Sequence, residues 1–211
     1  MNIIVIGATG GTGRQILAQA LERGWRVTAF ARNPRRVRLT HPNLRIVQGD
    51  VLDAAALDRA LPGHDAVVCA LGHKRWFYPN RILSAGTANV VAAMQRHGVR
   101  RLICQSSLGV GDSFGRLGLL YTLLVVPVIL PFYFWDKARQ EAIVRASGLD
   151  WTIVRPGVLT DGSRRGRVRH GPRVGNWIWS VRVSRADVAA FLLAAVETRG
   201  HLGETLGLAN N

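Results

Sequence analysis

The residues Gly7-Ala8-Thr9-Gly10-Gly11-Thr12-Gly13 carry the strongest chemical signal in the chain. A pyrophosphate brings two negative charges and needs backbone N–H groups at close range. A helix N-terminus supplies such donors together with a favourable dipole. Side chains at Gly7 or Gly10 would obstruct that approach, and a bare Gly13 lets a helix pack against the preceding strand. The spacing is GxxGxxG rather than GxGxxG, and glycine-rich turns also serve plain chain reversal. Here an apolar, strand-like run precedes the turn and helical spacing follows it, which is the context that dinucleotide binding requires. The end of the next β-rich run, Ala31-Arg32-Asn33-Pro34-Arg35-Arg36, offers no carboxylate to a ribose 2′-hydroxyl. The planar fork of Arg32 suits a 2′-phosphate instead, so NADP(H) is expected in preference to NAD(H). Arg35 also fits a plain solvated turn.

Tyr133 and Lys137 stand four apart and share one face if a helix starts near Pro131. A lysine in that position would bring the tyrosine down from its ordinary pKa of about 10 and fit it for proton transfer near neutral pH. Tyr133 belongs equally to the aromatic run Phe132-Tyr133-Phe134-Trp135, and Lys137 is spaced to pair with Glu141 one turn on. His64, His73 and His97 are scattered without metal-ligand spacing, and no metal is expected. His97 precedes Gly98 and reads as a helix-end residue favoured by the dipole. Cys69 and Cys104 read as buried packing residues on neighbouring strands. Asp112 and Asp161 lie in glycine-containing turns and read as local turn residues.

The elements that must position these groups alternate. Strands are expected at Ile3–Ile6, Trp25–Phe30, Leu44–Val47, Asp65–Ala70, Arg101–Gln105 and Trp151–Val154. Helical spacing appears in Ile16, Leu17, Ala20 and Leu21, closing at Gly24, and then from Asp53 to Ala60. Longer helices are expected over Asn80–His97, ended by Gly98, and Asp136–Ser147, ended by Gly148. Ser184 and Asp187 form a capping-box variant that opens a helix over Arg185–Val196. Continuous apolar strands alternating with helices imply an α/β fold: a single Rossmann-like doubly wound parallel sheet with helices on both faces, spanning 1–211 as one domain. The stretch Leu117–Trp135 breaks the rhythm. It is almost wholly apolar and about long enough to span a bilayer if helical, but Pro127 and Pro131 interrupt it. It is read as a lid or wall over the sheet, or a dimer contact, with a membrane-surface contact as the alternative.

With 48% hydrophobic residues, a disordered chain is excluded, and two cysteines cannot build a disulfide framework. The net charge is +15, and every one of the 28 basic residues except Lys74 and Lys137 is arginine. The arginines are spread along the chain without a recognised nucleic-acid motif, so no specific nucleic-acid partner is expected. The tract Arg164, Arg165, Arg167, Arg169 and Arg173 is a solvated loop or an attractor of anionic substrate or lipid headgroups. Met1 leads straight into the first strand without the start of a signal peptide, so a cytoplasmic location is expected.

GATGGTG, the Ala31-Arg32 turn, Gly49-Asp50-Val51, the run His64–Gly72 and Ser106-Ser107 occur here in one order. With Ser147–Gly157 and Ser184–Ala189, they resemble the atypical short-chain dehydrogenase/reductases, especially the biliverdin-IXβ reductase (flavin reductase) type. The resemblance covers nearly the whole chain and is weakest over Phe114–Trp135. It implies that Gly7, Thr9, Gly10, Gly11, Thr12 and Gly13 cradle the pyrophosphate. It gives Arg32 and Arg36 the 2′-phosphate, and Asp50 and Val51 the adenine. Leu71, Gly72 and Lys74 would run beside the cofactor, Ser106 or Ser107 would lie beside the nicotinamide, and Pro156 and Gly157 would meet the carboxamide. Where the flavin reductase type carries a histidine after the prolines of its sixth strand, this chain has Gly157, and members of the group frequently lack the tyrosine.

The expected function is NADPH-dependent transfer of hydride to a small, flat, largely apolar acceptor: a quinone, flavin, tetrapyrrole or carbonyl compound. The alternatives are a non-catalytic NAD(P)-binding sensor similar to NmrA-like regulators, and an epimerase acting on a nucleotide-linked or sugar substrate. The protein is expected as a monomer or homodimer.

Overall fold

Each of the first six strands is a short run rich in apolar and β-branched residues, the pattern of a strand rather than of a helix. In the computed structural model, which describes residues 1–73 and 78–210, they are β1 (Asn2–Ile6), β2 (Arg26–Ala31), β3 (Leu44–Gln48), β4 (Ala66–Cys69), β5 (Arg101–Gln105) and β6 (Asp150–Pro156). The helices between them are α1 (Gly11–Glu22), α2 (Ala54–Ala60), α3 (Ile82–Arg96) and α4 (Pro131–Arg145). Then follow β7 (Val158–Thr160), β8 (Val168–Gly171), β9 (Arg182–Ser184), α5 (Arg185–Glu197) and β10 (Glu204–Asn210).

The main sheet has the order β3-β2-β1-β4-β5-β6-β10-β8, parallel throughout except for the edge strand β8, which runs against β10. β7 and β9 form a separate parallel pair. The order reverses between β1 and β4, and such a switch opens a crevice at the carboxyl ends of the strands. Among the described residues, those proposed from the sequence to hold a cofactor lie at or after one of these ends. The α/β doubly wound expectation is met.

Both faces of the sheet are covered. On one, Ile16, Leu17 and Ala20 of α1 pack with Val188, Leu192 and Leu193 of α5 over Ile3, Val5 and Val27. On the other, Leu57 of α2, Val90 and Met94 of α3 and Val144 of α4 cover Ile4, Ile6, Val67 and Leu102. Burying one such leucine or isoleucine contributes about 1.5–3 kcal/mol. Asp53 caps α2 by accepting from the Ala56 N–H (3.2 Å), and Ser184 caps α5 by accepting from the Asp187 N–H (3.0 Å).

Three features differ from the sequence expectations. α4 begins at Pro131 rather than Asp136, because proline is tolerated at the first helical position. β7 to β10 were not anticipated: β10 carries Gly207 at its centre, and β8 is the Val-Arg-His-Gly stretch of the basic tract, so neither reads as an apolar run. The tract is therefore partly an ordered edge strand rather than a loop. Residues Tyr121–Ile129 wind as a π-helix around Pro127, with the Leu130 N–H reaching the Val125 carbonyl (2.9 Å). Among the described residues, no helix is long and apolar enough to cross a membrane.

Candidate dinucleotide site

The chain leaves β1 on Gly7, whose φ of 84° is left-handed; a Cβ there would stand 2.5 Å from the Ala70 carbonyl oxygen. Gly10 donates back to the Gly7 carbonyl (3.0 Å), closing the turn. A Cβ on Gly13 would lie 2.9 Å from the Ala8 backbone, so only glycine lets α1 start this close to β1. Gly10 is the N-cap of α1 with no side-chain cap and no acidic residue in the first turn, and Gly10 and Gly11 are exposed. Unsatisfied N–H groups at an accessible, positively polarised helix end are a ready anion site. Thr12 is buried behind them and Thr9 half-buried beside them.

Arg185 is the residue sequence reasoning passed over. Its Cδ and Nε lie 2.6 Å from where a Gly11 Cβ would be, and its guanidinium pairs with Asp161 (2.6 Å). A further cation thus lies against the glycine turn. The available signal was an arginine directly after the N-cap Ser184.

At the end of β2, Asn33 accepts from the Arg35 N–H (3.1 Å) and sets the tight turn Pro34–Arg36. Arg32 and Arg36 are both exposed, and among the described residues neither is drawn into an ion pair. At the end of β3, the Phe30 ring fills the space a Gly49 Cβ would need, 2.5 Å away. Asp50 accepts from the Leu52 N–H (3.0 Å). Val51 is buried against Gly86 of α3, and its carbonyl accepts from Asn89 Nδ2 (3.1 Å).

Beyond β4 and β5 the structure gathers Leu71, Gly72, Ser106, Tyr133 and Lys137. Lys137 is 1% exposed, and its ammonium donates to the carbonyls of Leu71 (3.1 Å) and Gln105 (2.8 Å) and to Gln140 Oε1 (2.8 Å). Of the two partners its spacing offered, Tyr133 and Glu141, it does not pair with Glu141 but ties the ends of β4 and β5 together. Its nitrogen lies 5.9 Å from the centre of the Tyr133 ring, whose hydroxyl is 3.9 Å from the Cβ position of Gly72. The Ser106 hydroxyl is buried and, among the described residues, has no hydrogen-bond partner; the same holds for Gln105 Oε1. Ser107 donates to the Leu108 carbonyl (3.1 Å). Lys74 lies outside the described residues.

Pro156 ends β6, and a Cβ on Gly157 would meet the Val181 carbonyl oxygen at 2.5 Å, so the histidine of the flavin reductase type has no room on this backbone. Just below, Arg155 grips both oxygens of Glu141 (2.8 and 2.7 Å) and reaches Asp112 (2.6 Å). The Arg155 guanidinium holds the Asp112 carboxyl below its usual range. Asp112 and Asp161 are therefore also ion-pair partners of distant arginines, Asp112 in addition to its place in a turn.

Asp136 was also missed. Fully buried on α4, it accepts from the N–H groups of Leu83 (2.8 Å) and Ser84 (3.1 Å) and from the Ser84 hydroxyl, capping α3 from outside. Cys69 and Cys104 are register neighbours on β4 and β5 and both free. The Cys104 hydrogen bond, against burial and with help from the Leu71 N–H and Lys137, pulls the Cys69 thiol down, while Cys104 is pushed up. They belong to a polar network with Gln140 and Thr87 as well as to the packing. His97 ends α3 and lies 3.3 Å from Asp58. Among the described residues, no group of three or more His, Cys, Asp or Glu side chains is placed to hold a metal ion.

A 3-2-1-4-5-6 parallel sheet with an uncapped glycine turn at its switch point defines a Rossmann-type dinucleotide-binding protein. The chain belongs to the NAD(P)H-binding family, whose model matches residues 7–199. It is 30% identical over 213 residues to the (4-alkanoyl-5-oxo-2,5-dihydrofuran-3-yl)methyl phosphate reductase of Streptomyces griseus; the match takes in 95% of this chain and 65% of that protein. The fold superposes on the anaerobilin reductase ChuY of Escherichia coli O157:H7 with a TM-score of 0.82, at 24% identity over 100% of this chain and 97% of that one. A wide-type short-chain dehydrogenase/reductase of Veillonella parvula in complex with NADP gives 0.83, at 18% identity over 99% and 94% of the two chains.

Proposed function

We propose that the protein is an NADPH-dependent reductase of a small, flat, largely apolar acceptor. The observation that carries this reading is the α1 N-terminus: uncapped, accessible, and closed to any side chain at Gly7 and Gly13. That cradle fits a pyrophosphate. The carboxylate-free turn with exposed Arg32 and Arg36 fits a 2′-phosphate, and the orphaned Ser106 hydroxyl fits a ligand dipole at the end of β5. The Streptomyces and Escherichia relatives are themselves reductases. The free thiols of Cys69 and Cys104 suit the reducing cytosol.

A bound nicotinamide dinucleotide supplies the hydride. The chain's own share is positioning and polarity. Gly10 to Gly13 and Arg185 hold phosphate charge, and Lys137 fixes the two strand ends that floor the site. Ser106 and the Tyr133 hydroxyl offer hydrogen bonds to an acceptor oxygen. Lys137 has three acceptors of its own, so proton delivery falls to Tyr133 alone or to solvent.

That same occupancy of Lys137 favours one second reading, an NmrA-like sensor in which nucleotide occupancy biases partner binding. NADPH consumption with quinones, flavins, tetrapyrroles and aldehydes separates the two. The reductase reading expects turnover with at least one acceptor. Tight NADPH binding with none would select the sensor, and no nucleotide binding would overturn both.

A further inference from the structure

The apolar segment after β5 does not close over the sheet as a simple wall. Leu119, Leu120, Leu123 and Leu124, together with Ile178 and Trp179, line an open groove of about 570 Å³. Its rim is bare: Leu123 is 66% exposed, Val128 63%, Trp177 67% and Trp179 75%. Within the π-helix only Val126 is buried. Contiguous apolar surface of this kind marks an interaction site.

These side chains are held outward by construction. Asn176 donates to the Arg116 carbonyl (2.8 Å), Leu119 donates to the Ile178 carbonyl (3.2 Å), and Asn176 Oδ1 accepts from the N–H groups of Ile178 and Trp179 (2.8 Å each). Gly115 lies under the Trp177 ring and Gly118 under the Trp179 backbone; a Cβ would come within 2.6 Å of the first and 2.7 Å of the second. The Arg116 guanidinium also ties to the Pro172 carbonyl. Two ordered loops therefore present tryptophan and leucine together.

Charge selects the occupant. Residues 115–130 and 172–184, the two segments these contacts join, contain Arg116, Arg173 and Arg182 and no Asp or Glu. A second copy of this chain would set like charge against like charge, on a molecule of net charge +15. An anionic lipid surface complements both features: headgroups take the arginines, the leucines enter the acyl boundary, and tryptophan favours the interface between them.

We infer that this face docks the protein on an anionic membrane surface, so that its acceptor is a lipid-soluble molecule met at the bilayer. The second half of the inference rests on the proposed reductase activity. The path is short: Gly109, three residues beyond Ser106, is flanked by Leu117 and Phe134 (3.0 and 3.1 Å from its Cβ position), next to Tyr133. A quinone reached this way would gain one hydride and one solvent proton and leave as the quinol, with NADPH oxidised to NADP⁺.

The test is co-sedimentation of the full chain with phosphatidylglycerol-containing vesicles and with pure phosphatidylcholine vesicles. Binding should be strong to the first, at least about tenfold weaker to the second, and should weaken as salt rises. Leu123→Ser/Leu124→Ser, and separately Trp177→Ser/Trp179→Ser, should each lower partitioning by about tenfold or more, with NADPH affinity unchanged. Absence of vesicle binding, or an apolar-face dimer in sedimentation velocity that the same variants abolish, would overturn the docking. Vesicle binding without oxidation of NADPH by a bilayer-dissolved quinone would keep the docking and remove the lipid-soluble acceptor. Turnover of water-soluble acceptors without any vesicle binding would keep the reductase and remove the surface.

Discussion

Arg32 and Arg36 are exposed side chains at the end of β2, so replacing them costs little in folding and isolates their effect on the cofactor. Arg32→Ala is expected to weaken NADPH by about tenfold or more and NADH hardly at all, because only NADPH carries the 2′-phosphate that a charged hydrogen bond would engage. Titration of both nucleotides checks it, and equal losses would defeat the NADP(H) preference. Tyr133→Phe separates the two sources of the proton: a fall of about a hundredfold in kcat with KM unchanged assigns it to Tyr133, and unchanged turnover assigns it to solvent. Lys137→Met behaves differently. It strips the buried acceptors of Leu71, Gln105 and Gln140 of their donor, and denaturant unfolding should show a loss of about 3 kcal/mol.

At the scale of elements, two buried carboxylates join pieces that the chain order separates. Asp136→Ala leaves the N-terminus of α3 without its external cap and should cost about 2 kcal/mol. Asp187 holds the loop at Arg165 and Gly166, as well as Ser184 and Asn210. Burial pushes its carboxyl up, but the Gly166 N–H, the Ser184 hydroxyl, the Asn210 amide and the Arg165 N–H outweigh that and hold it below the ordinary value of 3.8. Because the folded value is the lower one, this contribution is complete above the unfolded value and is lost as pH falls through the folded value. Asp187→Asn should therefore flatten the acid limb of stability below about pH 4, read as denaturant midpoint against pH.

For the whole molecule, the Arg155–Glu141 pair joins β6 to α4 in the interior, with side chains 4% and 1% exposed. Glu141→Ala leaves a buried guanidinium and should cost about 3–5 kcal/mol, whereas Arg155→Met/Glu141→Leu should cost less than either single change. A double-mutant cycle measures the difference. This pair sits beneath the loop that carries Asp112 and leads to the apolar face, so the interior charge also braces the proposed docking surface.

Much of the sheet was legible in the sequence, since apolar strand runs alternating with helical spacing leave few ways to bury both faces. The glycine turn was legible too, because Gly7 and Gly13 are required by contacts within a few residues or with the neighbouring strand. Local chemistry also disclosed the caps at Asp53 and Ser184. What pairs across long separations was hidden. Lys137 could be matched in sequence only to Tyr133 and Glu141, each one turn away, whereas its partners at Leu71 and Gln105 arrive through the sheet. Asp136 on α3, Arg185 on Gly11, and Arg155 between Glu141 and Asp112 were invisible for the same reason. β8 and β10 owe their strand state to the neighbours they pair with rather than to their own residues, and a run of apolar residues does not state which of its faces is left open. Spacing along the chain determines periodicity and turns; the partners of buried charge and the exposure of apolar surface are properties of the assembled packing.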